Sequence, residues 1–390
     1  MRFLDRFWLS TAETLTHTRY NRIAMGVTAL QAHGPELGAT GVSDYRGATT
    51  PTRFGDPQSE FDALRTGCGV YDLGFRAKIL LSGRDRVRWL NGMTTNNIRD
   101  LAIDRGVYGF LLNPQGHILA DLYAYNQGES ILVDTDHAQI EKILGLFARY
   151  IIMDRVDVKN MSHELTALGI SGRKSREILK KADVDLPDLE PLQRHTMQCD
   201  CECGCLNCTV VRRDDPSTES YEIWLAPEHV KPLWDTLVKA GATRVGSEAL
   251  EMHRIAAGIP RYGVDIHERD LPHETEQARA LNFTKGCYIG QEIVERIRSR
   301  GAVHRKLAGF LTDAPVTPGS KIVVGEKEVG EVTSATSLGL ADQQRNLALG
   351  YVRREASAPG SEVHIGQVAA KVTALPFSEV TFAGDGRSLS

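Results

Sequence analysis

The sequence contains no apolar run that approaches the roughly 18 residues a membrane span requires. Its first residues, MRFLDRFWLSTAETL, mix arginine and aspartate into the apolar positions, whereas a secretory signal needs an uninterrupted apolar segment. A basic excess is also missing, because the formal net charge is −4, and general nucleic-acid affinity usually shows as such an excess. We therefore expect a cytoplasmic protein that binds neither membranes nor nucleic acids in general.

The common nucleotide and metalloprotease motifs are absent as well. The segment GISGRKS at 169–175 has the wrong glycine spacing for a phosphate loop, and HEXXH does not occur. No glycine-rich turn joins a strand to a helix as in dinucleotide-binding folds. Motif comparison alone therefore names no enzyme class.

Mixed helical and strand patterns predict the fold class. At 390 residues, with 42% hydrophobic and 25% charged residues, the chain is soluble in composition and long enough for two or three domains. After a helical stretch and a Gly/Ser/Pro-rich loop within 1–60, strands such as AKILLSG and YEIWLA alternate with amphipathic helices. One of these helices, HAQIEKILGLFARY, is predicted to be capped by the aspartates at 134–136. The pattern predicts an α+β fold with mostly antiparallel sheets.

The sequence pattern changes after residue 301. Short alternating strands with Gly and Pro turns fill 305–385, and PGSKIVVG at 318–325 is echoed by PGSEVHIG at 359–366. Such an echo is typical of two related hairpins in a small barrel. We predict one region over 1–303, made of two intertwined subdomains, and a β-barrel domain over 304–390.

Five of the seven cysteines lie in CDCECGCLNC: Cys199, Cys201, Cys203, Cys205 and Cys208. Only Cys205-x-x-Cys208 has the usual spacing of a zinc or iron–sulfur knuckle. The flanking RHTMQ and TVVRR predict a hairpin with the cluster at its tip. The tip is either a metal site or an idle turn, and the sequence leaves both open.

Another cysteine, Cys287, lies far from this cluster in KGCYIGQE at 285–292. The pattern of this segment indicates a turn that enters a helix. A thiol near a helix N-terminus and close to Lys285 has reasons to titrate low and to act as nucleophile or ligand. The alternative for Cys287 is a small buried hydrophobe.

This last segment, followed by Arg296 and Arg300 in VERIRSRG, resembles the signature of YgfZ-type proteins. They are the folate-binding, iron–sulfur-assembly branch of the glycine-cleavage T-protein (aminomethyltransferase) superfamily. The blocks GCGVYDLGFRAKILLSGRDRVRWLNGMTTNNIRDL, GVYGFLLNPQGHILADLYAY and RIAAGIPRYGVDI are similar to the superfamily in the same order. The resemblance runs from about residue 60 to 376 and implies folate-binding domains around a central cavity, followed by a small antiparallel barrel.

Two positions decide the branch. T-proteins carry an aspartate where this chain has Cys287, and a catalytic aspartate where TTNNI places Asn97. An asparagine cannot act as an anionic base or stabilise a developing positive charge as a carboxylate can. Both departures argue against aminomethyl transfer and leave open whether the chain is an enzyme.

The resemblance also implies the site residues. Tyr108, Asn113, Glu222 and Arg254 match folate-contacting positions, and Asn97 lies beside them. A carboxylate such as that of Glu222 can accept two parallel N–H bonds from a pterin edge. One departure is Ala256, where T-proteins usually have glutamate.

The function implied is that of a tetrahydrofolate-binding protein that supports assembly or repair of iron–sulfur clusters in client enzymes. Its partners would be a reduced folate and iron–sulfur client or assembly proteins, and Cys287, activated by Lys285, would be the reactive residue. Two alternatives remain: a folate-dependent aminomethyl- or methyltransferase, and a metal or cluster carrier that uses the 199–208 hairpin.

Overall fold

A computed structural model describes residues 26–201, 204–301, 303–340 and 343–377 of the chain, without the side chains of residues 35, 199–201, 204–206 and 300. Most of the helical stretch predicted near the N-terminus falls outside these residues.

The helices and strands follow each other in mixed order along the chain. The helices are α1 (Pro57–Thr66), α2 (Arg86–Met93), α3 (Ile140–Tyr150), α4 (Ser175–Lys181), α5 (Val230–Lys239), α6 (Ser247–Ala256) and α7 (Gln291–Arg300). The strands are β1 (Gly26–Val27), β2 (Val42–Tyr45), β3 (Ala48–Pro51), β4 (Gly69–Asp72), β5 (Arg76–Ser82), β6 (Gly106–Leu112), β7 (Ile118–Asn126), β8 (Ile131–Asp136), β9 (Asp157–Asn160), β10 (Thr166–Ser171), β11 (Arg194–Cys201), β12 (Gly204–Arg212), β13 (Ser220–Leu225), β14 (Thr243–Val245), β15 (Arg305–Thr312), β16 (Lys321–Val324), β17 (Lys327–Leu340), β18 (Gln343–Arg353), β19 (Glu362–Ile365) and β20 (Val368–Thr373).

The segment predicted as a Gly/Ser/Pro-rich loop instead contains a hairpin. Strands β2 and β3 pair antiparallel in a small sheet of order β1-β3-β2. The turn between them places Arg46 and Gly47 at φ 57° and 90°. A Cβ on Gly47 would come within 2.4 Å of the Ala138 backbone nitrogen, so only glycine fits this close approach. The turn is thereby held against the start of α3.

A five-stranded antiparallel sheet of order β6-β7-β8-β5-β9 forms one wall of the N-terminal region. Helices α2 and α3 cover it, and Ile140, Ile143 and Phe147 of α3 are buried in its core as the periodicity predicts. Asp136 precedes this helix but makes no side-chain capping bond. The predicted cap is wrong because that carboxylate faces two arginines, described below.

A six-stranded sheet of order β11-β12-β13-β10-β4-β14 forms the second wall. Strands β11 and β12 pair antiparallel from Arg194↔Val211 to Cys201↔Gly204, which confirms the predicted hairpin around the cysteine-rich segment. Buried apolar side chains such as Leu168, Ile223, Trp234 and Leu237 pack α5 against this sheet.

The C-terminal strands close into an antiparallel barrel of order β15-β18-β17-β16-β19-β20. The two echoed segments become the neighbouring strands β16 and β19, in register Ile322↔Ile365. One apolar core joins barrel and N-terminal region, because Trp224 and Ile255 cluster with Leu347 and Phe377. The α+β fold class with mostly antiparallel sheets and a terminal barrel is confirmed.

Candidate functional site

A central cavity lies between the two large sheets and helix α6. Its volume is about 90 Å³. The lining side chains come from the β2–β3 turn, from strands β4 to β8, from the segment after β12 and from α6 and its C-terminal loop. They include Tyr45, Arg46, Tyr71, Arg76, Tyr108, Asp121, Tyr123, Asp136, Arg213, Asp215, His253, Arg254, Arg261, Tyr262 and Arg279. Nearly all of these side chains are aromatic or charged, which is unusual for a buried space.

Tyr108 of β6 forms an aromatic floor with Tyr123 of β7. Their ring centroids are 4.9 Å apart, and the guanidinium of Arg279 lies 4.6 Å from the Tyr108 centroid. The Tyr108 hydroxyl donates to Oδ2 of Asp121 at 2.8 Å. Burial, followed by the Asp121 charge, raises the pKa of Tyr108 well above its usual value, so the phenol stays protonated.

Asp121 of β7, which accepts this hydrogen bond, is a carboxylate whose pKa is also shifted upward. Burial, and then the charge of Asp136, raises its pKa. Its two oxygens accept from the Tyr108 hydroxyl and from Nε2 of Gln139 at 2.7 Å. This wall of the cavity therefore combines a neutral phenol with a carboxyl group that is easier to protonate than usual.

Two neighbouring strands supply a ladder of ion pairs. The register places Arg76 opposite Asp136 and Lys78 opposite Asp134. Lys78 Nζ lies 2.6 Å from Asp134, Arg76 pairs with both carboxylates, and Arg46 reaches Asp136 at 3.1 Å. Burial opposes ionisation of Asp136, but Arg46 and Arg76 outweigh it and lower the pKa of this carboxyl.

The opposite wall contains a second set of pairs. Arg213 Nη1 lies 2.8 Å from Oε1 of Glu222, and Trp224 Nε1 donates to Oε2 at 2.9 Å. Beside them, His253 Nε2 lies 2.8 Å from Oδ2 of Asp215. Although burial acts in the other direction, the charge of His253 and its hydrogen bond lower the pKa of Asp215.

Glu222, the predicted pterin-pairing carboxylate, lies on β13 with only 4% of its surface exposed. Both of its oxygens are bonded to protein donors, and one of these donors, Arg213, lines the cavity. Glu222 itself is not among the lining residues.

Arg254, predicted to contact folate, lines the cavity but is fully engaged. It donates to Glu251, to the Ile259 carbonyl, to Asp265 at 2.7 Å and to Ser334 in the barrel at 2.9 Å. These bonds use all the polar nitrogens of the guanidinium and tie α6 to β17. The structure thus gives Arg254 a role in joining the two regions.

The two predicted asparagines lie outside the cavity lining. Asn113 closes the β6–β7 turn, where its Oδ1 accepts from the His117 backbone N–H at 2.9 Å, a common use of asparagine in turns. Asn97 donates to Asp100 at 2.7 Å in the loop after α2. Its neighbour Asn96 instead contacts the backbone of two cavity-lining residues, because its Nδ2 donates to the carbonyls of Tyr108 and Arg279.

Lys285 and Cys287 lie in different surroundings, because Lys285 is buried and Cys287 is exposed. Lys285 is 8% exposed, and its ammonium donates to the carbonyls of Asn91, Thr94 and Asn96 at 2.5 to 2.7 Å. Burial, followed by the charge of Arg99, lowers the pKa of Lys285 to about 7, whereas the three acceptors favour the protonated form.

Cys287 is exposed in the loop that leads to α7. The predicted activation of its thiol by Lys285 therefore lacks a direct contact in this structure, because the lysine amine is directed into the end of α2. Of the two arginines in the signature, Arg296 is half-exposed and pairs with Glu292 at 2.9 Å, and the side chain of Arg300 is not described.

Most of the cavity-lining residues are not among those predicted from the sequence. The signal lies in β5 and β8, where RAKILLS begins and ILVDTD ends with two alternate charged residues, of opposite sign in the two strands. Alternate residues share one face of a strand. Complementary charges on two predicted buried strands therefore indicate that the strands are neighbours in one sheet, with these side chains on the same face.

The cysteine-rich hairpin β11–β12 has one described cysteine side chain, that of Cys208. Cys208 is buried, while Cys203 and the side chains of Cys199, Cys201 and Cys205 lie outside the described residues. Within the described part of the chain, no group of three His, Cys, Asp or Glu side chains is arranged to hold a metal ion. In the same part, no helix is long and apolar enough to cross a bilayer.

Two sheets around a charged cavity, followed by a closed barrel, define a protein of the aminomethyltransferase fold. The solved glycine cleavage system aminomethyltransferase T from Bartonella henselae superposes with a TM-score of 0.81 at 20% identity, over 92% of this chain and 99% of that one. The sequence matches the GCVT N-terminal domain over residues 30–285 and the glycine cleavage T-protein C-terminal barrel domain over 305–379. The chain therefore belongs to the glycine cleavage T-protein family.

Its relatives within the family have different names. An aminomethyltransferase of Rubrobacter xylanophilus is 29% identical over 90% of this chain and 93% of its own length. A chloroplast protein of Arabidopsis thaliana, whose name assigns it only to the transferases, is 28% identical over 83% of this chain and 74% of its own. The superfamily prediction is confirmed, and assignment to the YgfZ-type branch stays a prediction.

Proposed function

We propose that this chain binds a reduced folate, tetrahydrofolate or a derivative, in the central cavity. The observation that carries the proposal is the cavity wall itself, where an aromatic floor of Tyr108 and Tyr123 faces buried carboxylates and arginines. A pterin needs an aromatic surface for its ring and paired acceptors for its N–H edge. The cavity lies within the part of the chain that matches the family's N-terminal domain.

Binding requires the cavity to widen. At about 90 Å³ it is smaller than the roughly 300 to 1,000 Å³ of common ligand pockets. Arg213 and Arg279 are long side chains on its wall, and among the described residues Arg213 pairs with Glu222 and Arg279 with Asp214. If Arg213 swings away, Glu222 is left with a free oxygen for the ligand, which is the role that the family resemblance implies.

Calorimetric titration with tetrahydrofolate tests the proposal, with Glu222→Gln beside the wild type and Glu228→Gln as the matched control. Glu228 is exposed on the surface, so its variant should bind as the wild type does. Loss of a charged hydrogen bond costs about 1.5 to 3 kcal/mol, so Glu222→Gln should bind roughly 10- to 100-fold more weakly. No binding by the wild type, or equal binding by both variants, would remove the proposal.

A second candidate is support of iron–sulfur cluster assembly or repair in client proteins, in the cytoplasm. The observation that favours it is the exposure of Cys287, since an accessible thiol can meet a partner protein or a transferred iron–sulfur group. Asn97 favours the same candidate, because it stands where the family resemblance implies the catalytic aspartate of a transferase.

Complementation separates the candidates. Cells that lack this chain would receive Cys287→Ser or Glu222→Gln, and the activity of an iron–sulfur enzyme in extracts would be measured. The assembly role predicts that Cys287→Ser fails to restore this activity. Full restoration by Cys287→Ser, together with turnover of a one-carbon donor by the purified wild type, would favour the folate-dependent transferase instead.

A further inference from the structure

A histidine and a carboxylate form a pair on the cavity wall that neither the signature segment nor the position of Asn97 predicts. His253 lies on α6, and Asp215 lies in the segment between β12 and β13. His253 Nε2 is 2.8 Å from Asp215 Oδ2. The two side chains are 12% and 7% exposed, and both line the central cavity.

Asp215 is held from its other side. Its Oδ1 accepts from the backbone N–H of Ser217 at 2.9 Å and from the Ser217 hydroxyl at 2.7 Å. With Oδ1 occupied, Oδ2 is the oxygen directed at the imidazole. The charge of His253 helps to lower the pKa of Asp215, so this carboxylate stays ionised as an acceptor.

This arrangement fixes the state of the imidazole. The proton of a neutral His253 resides on Nε2, because Nε2 faces a carboxylate. The lone pair is then on Nδ1, and among the described residues no hydrogen bond to Nδ1 is found. A carboxylate that orients an imidazole and stabilises its protonated form is the arrangement that general bases use.

We propose that His253, oriented by Asp215, is the proton acceptor of the central cavity, its Nδ1 facing an N–H group of the bound ligand. The inference rests on the proposed folate binding and supplies the base that Asn97 cannot be. When a secondary amine of the ligand attacks a one-carbon donor such as formaldehyde, the nitrogen lone pair forms the new C–N bond. The C=O π bond breaks, and its electron pair moves to the oxygen. The N–H electrons return to nitrogen, and the proton passes to Nδ1, leaving an imidazolium paired with Asp215.

Other groups face the same space and have to be separated from His253. Asp121 has a raised pKa, while Asp136 is kept ionised by Arg46 and Arg76. Tyr71 and the arginines of the wall, Arg213, Arg254 and Arg279, have raised pKa values and keep their protons near neutral pH. Asp121 is therefore the competing base and needs its own variant.

The test is the dissociation constant of tetrahydrofolate measured by calorimetry between pH 5.5 and 8.5. The variants are His253→Gln, Asp215→Asn and Asp121→Asn, with His304→Gln, an exposed histidine, as the control. A ligand N–H requires neutral His253, so wild-type affinity should fall at acid pH, approaching a roughly tenfold loss per pH unit where protonation of the imidazole competes with binding. His253→Gln should bind with little dependence on pH, and Asp215→Asn should shift the profile.

The other outcomes are distinct. If His253→Gln keeps the wild-type profile while Asp121→Asn loses it, the base is Asp121 and the inference is wrong, although folate binding stands. If the wild type binds no tetrahydrofolate at any pH, the proposed function fails and takes the inference with it. A kinetic readout adds to this: under saturating tetrahydrofolate, condensation with formaldehyde should slow in His253→Gln and not in His304→Gln.

Discussion

The central cavity and the segment from Lys285 to α7 differ in how they use charge. In the cavity, arginines and carboxylates are buried and each is held by partners from another strand or helix. In the α7 segment, Cys287 and Arg296 are open to solvent, whereas Lys285 is buried. The residues most conspicuous in the sequence are therefore not those most constrained by the fold. The fold encloses the central cavity, whereas the side chains of Cys287 and Arg296 are accessible from solvent.

Arginine substitutions should give the largest contrast between the two regions. Arg254→Ala leaves buried Asp265 without its cation and breaks the bonds to Ile259 and Ser334. We expect the free energy of unfolding to fall by about 3 to 5 kcal/mol in urea denaturation. The control is Arg296→Ala, whose exposed pair with Glu292 should contribute under about 0.5 kcal/mol. Equal effects of the two variants would contradict the difference between the buried and the exposed arginine.

Acid should weaken the cavity wall through Glu251. Burial opposes its ionisation, but Arg254, Arg46 and Arg261 lower its pKa from 4.5 to about 2. Since the folded pKa lies below the unfolded one, the stabilisation is complete above pH 4.5 and is lost as pH falls towards 2. The difference corresponds to about 3 kcal/mol. Glu251→Gln should therefore be less stable at pH 7, and its deficit should shrink below pH 4.5.

That pH dependence is measured by urea unfolding at several pH values from 7 down to 3. Glu228→Gln, a substitution of an exposed glutamate, should follow the wild type throughout. A deficit of Glu251→Gln that stays constant down to pH 3 would contradict the assigned pKa.

Lys285 should behave like a cavity residue although it belongs to the signature. Lys285→Met removes the donor from three carbonyls near the end of α2. With about 1 kcal/mol for each lost bond, the free energy of unfolding should fall by about 2 to 3 kcal/mol. Lys306→Met provides the matched control, because Lys306 is partly exposed and paired with Glu276. If Lys285→Met is as stable as the wild type, the structural role is contradicted and the predicted chemical role of Lys285 is favoured.

The smallest effect is expected at Cys287. Its side chain is exposed, so Cys287→Ser should change the free energy of unfolding by less than about 0.5 kcal/mol. Alkylation of the native wild type by iodoacetamide, followed by mass spectrometry, should modify Cys287 well before the buried Cys68. The reverse order of alkylation would show that the thiol is not the accessible group of this region.

The sequence was informative where structure is set locally. The helix at 140–150, the hairpin around the cysteine-rich segment and the echoed barrel strands follow from periodicity and turn residues. The ion pairs were not predicted, because Arg76 and Asp136 are sixty residues apart and meet only when β5 pairs with β8.

Family resemblance located the site only approximately. It placed Tyr108 and Arg254 on the cavity and Glu222 directly behind it. It could not indicate that Asn113 is used in a turn or that the Lys285 amine is directed into α2. Such assignments depend on which backbone groups lie within reach, and a motif does not specify that.

Hydrogen–deuterium exchange with and without saturating tetrahydrofolate tests the central claim most directly, because it shows where the ligand binds. The account predicts slower exchange in peptides that cover 213–217 and 250–263, which carry cavity-lining residues, and unchanged exchange in the loop at 284–290. Slower exchange confined to 284–300 or to the barrel would contradict the claim that the central cavity is the folate site.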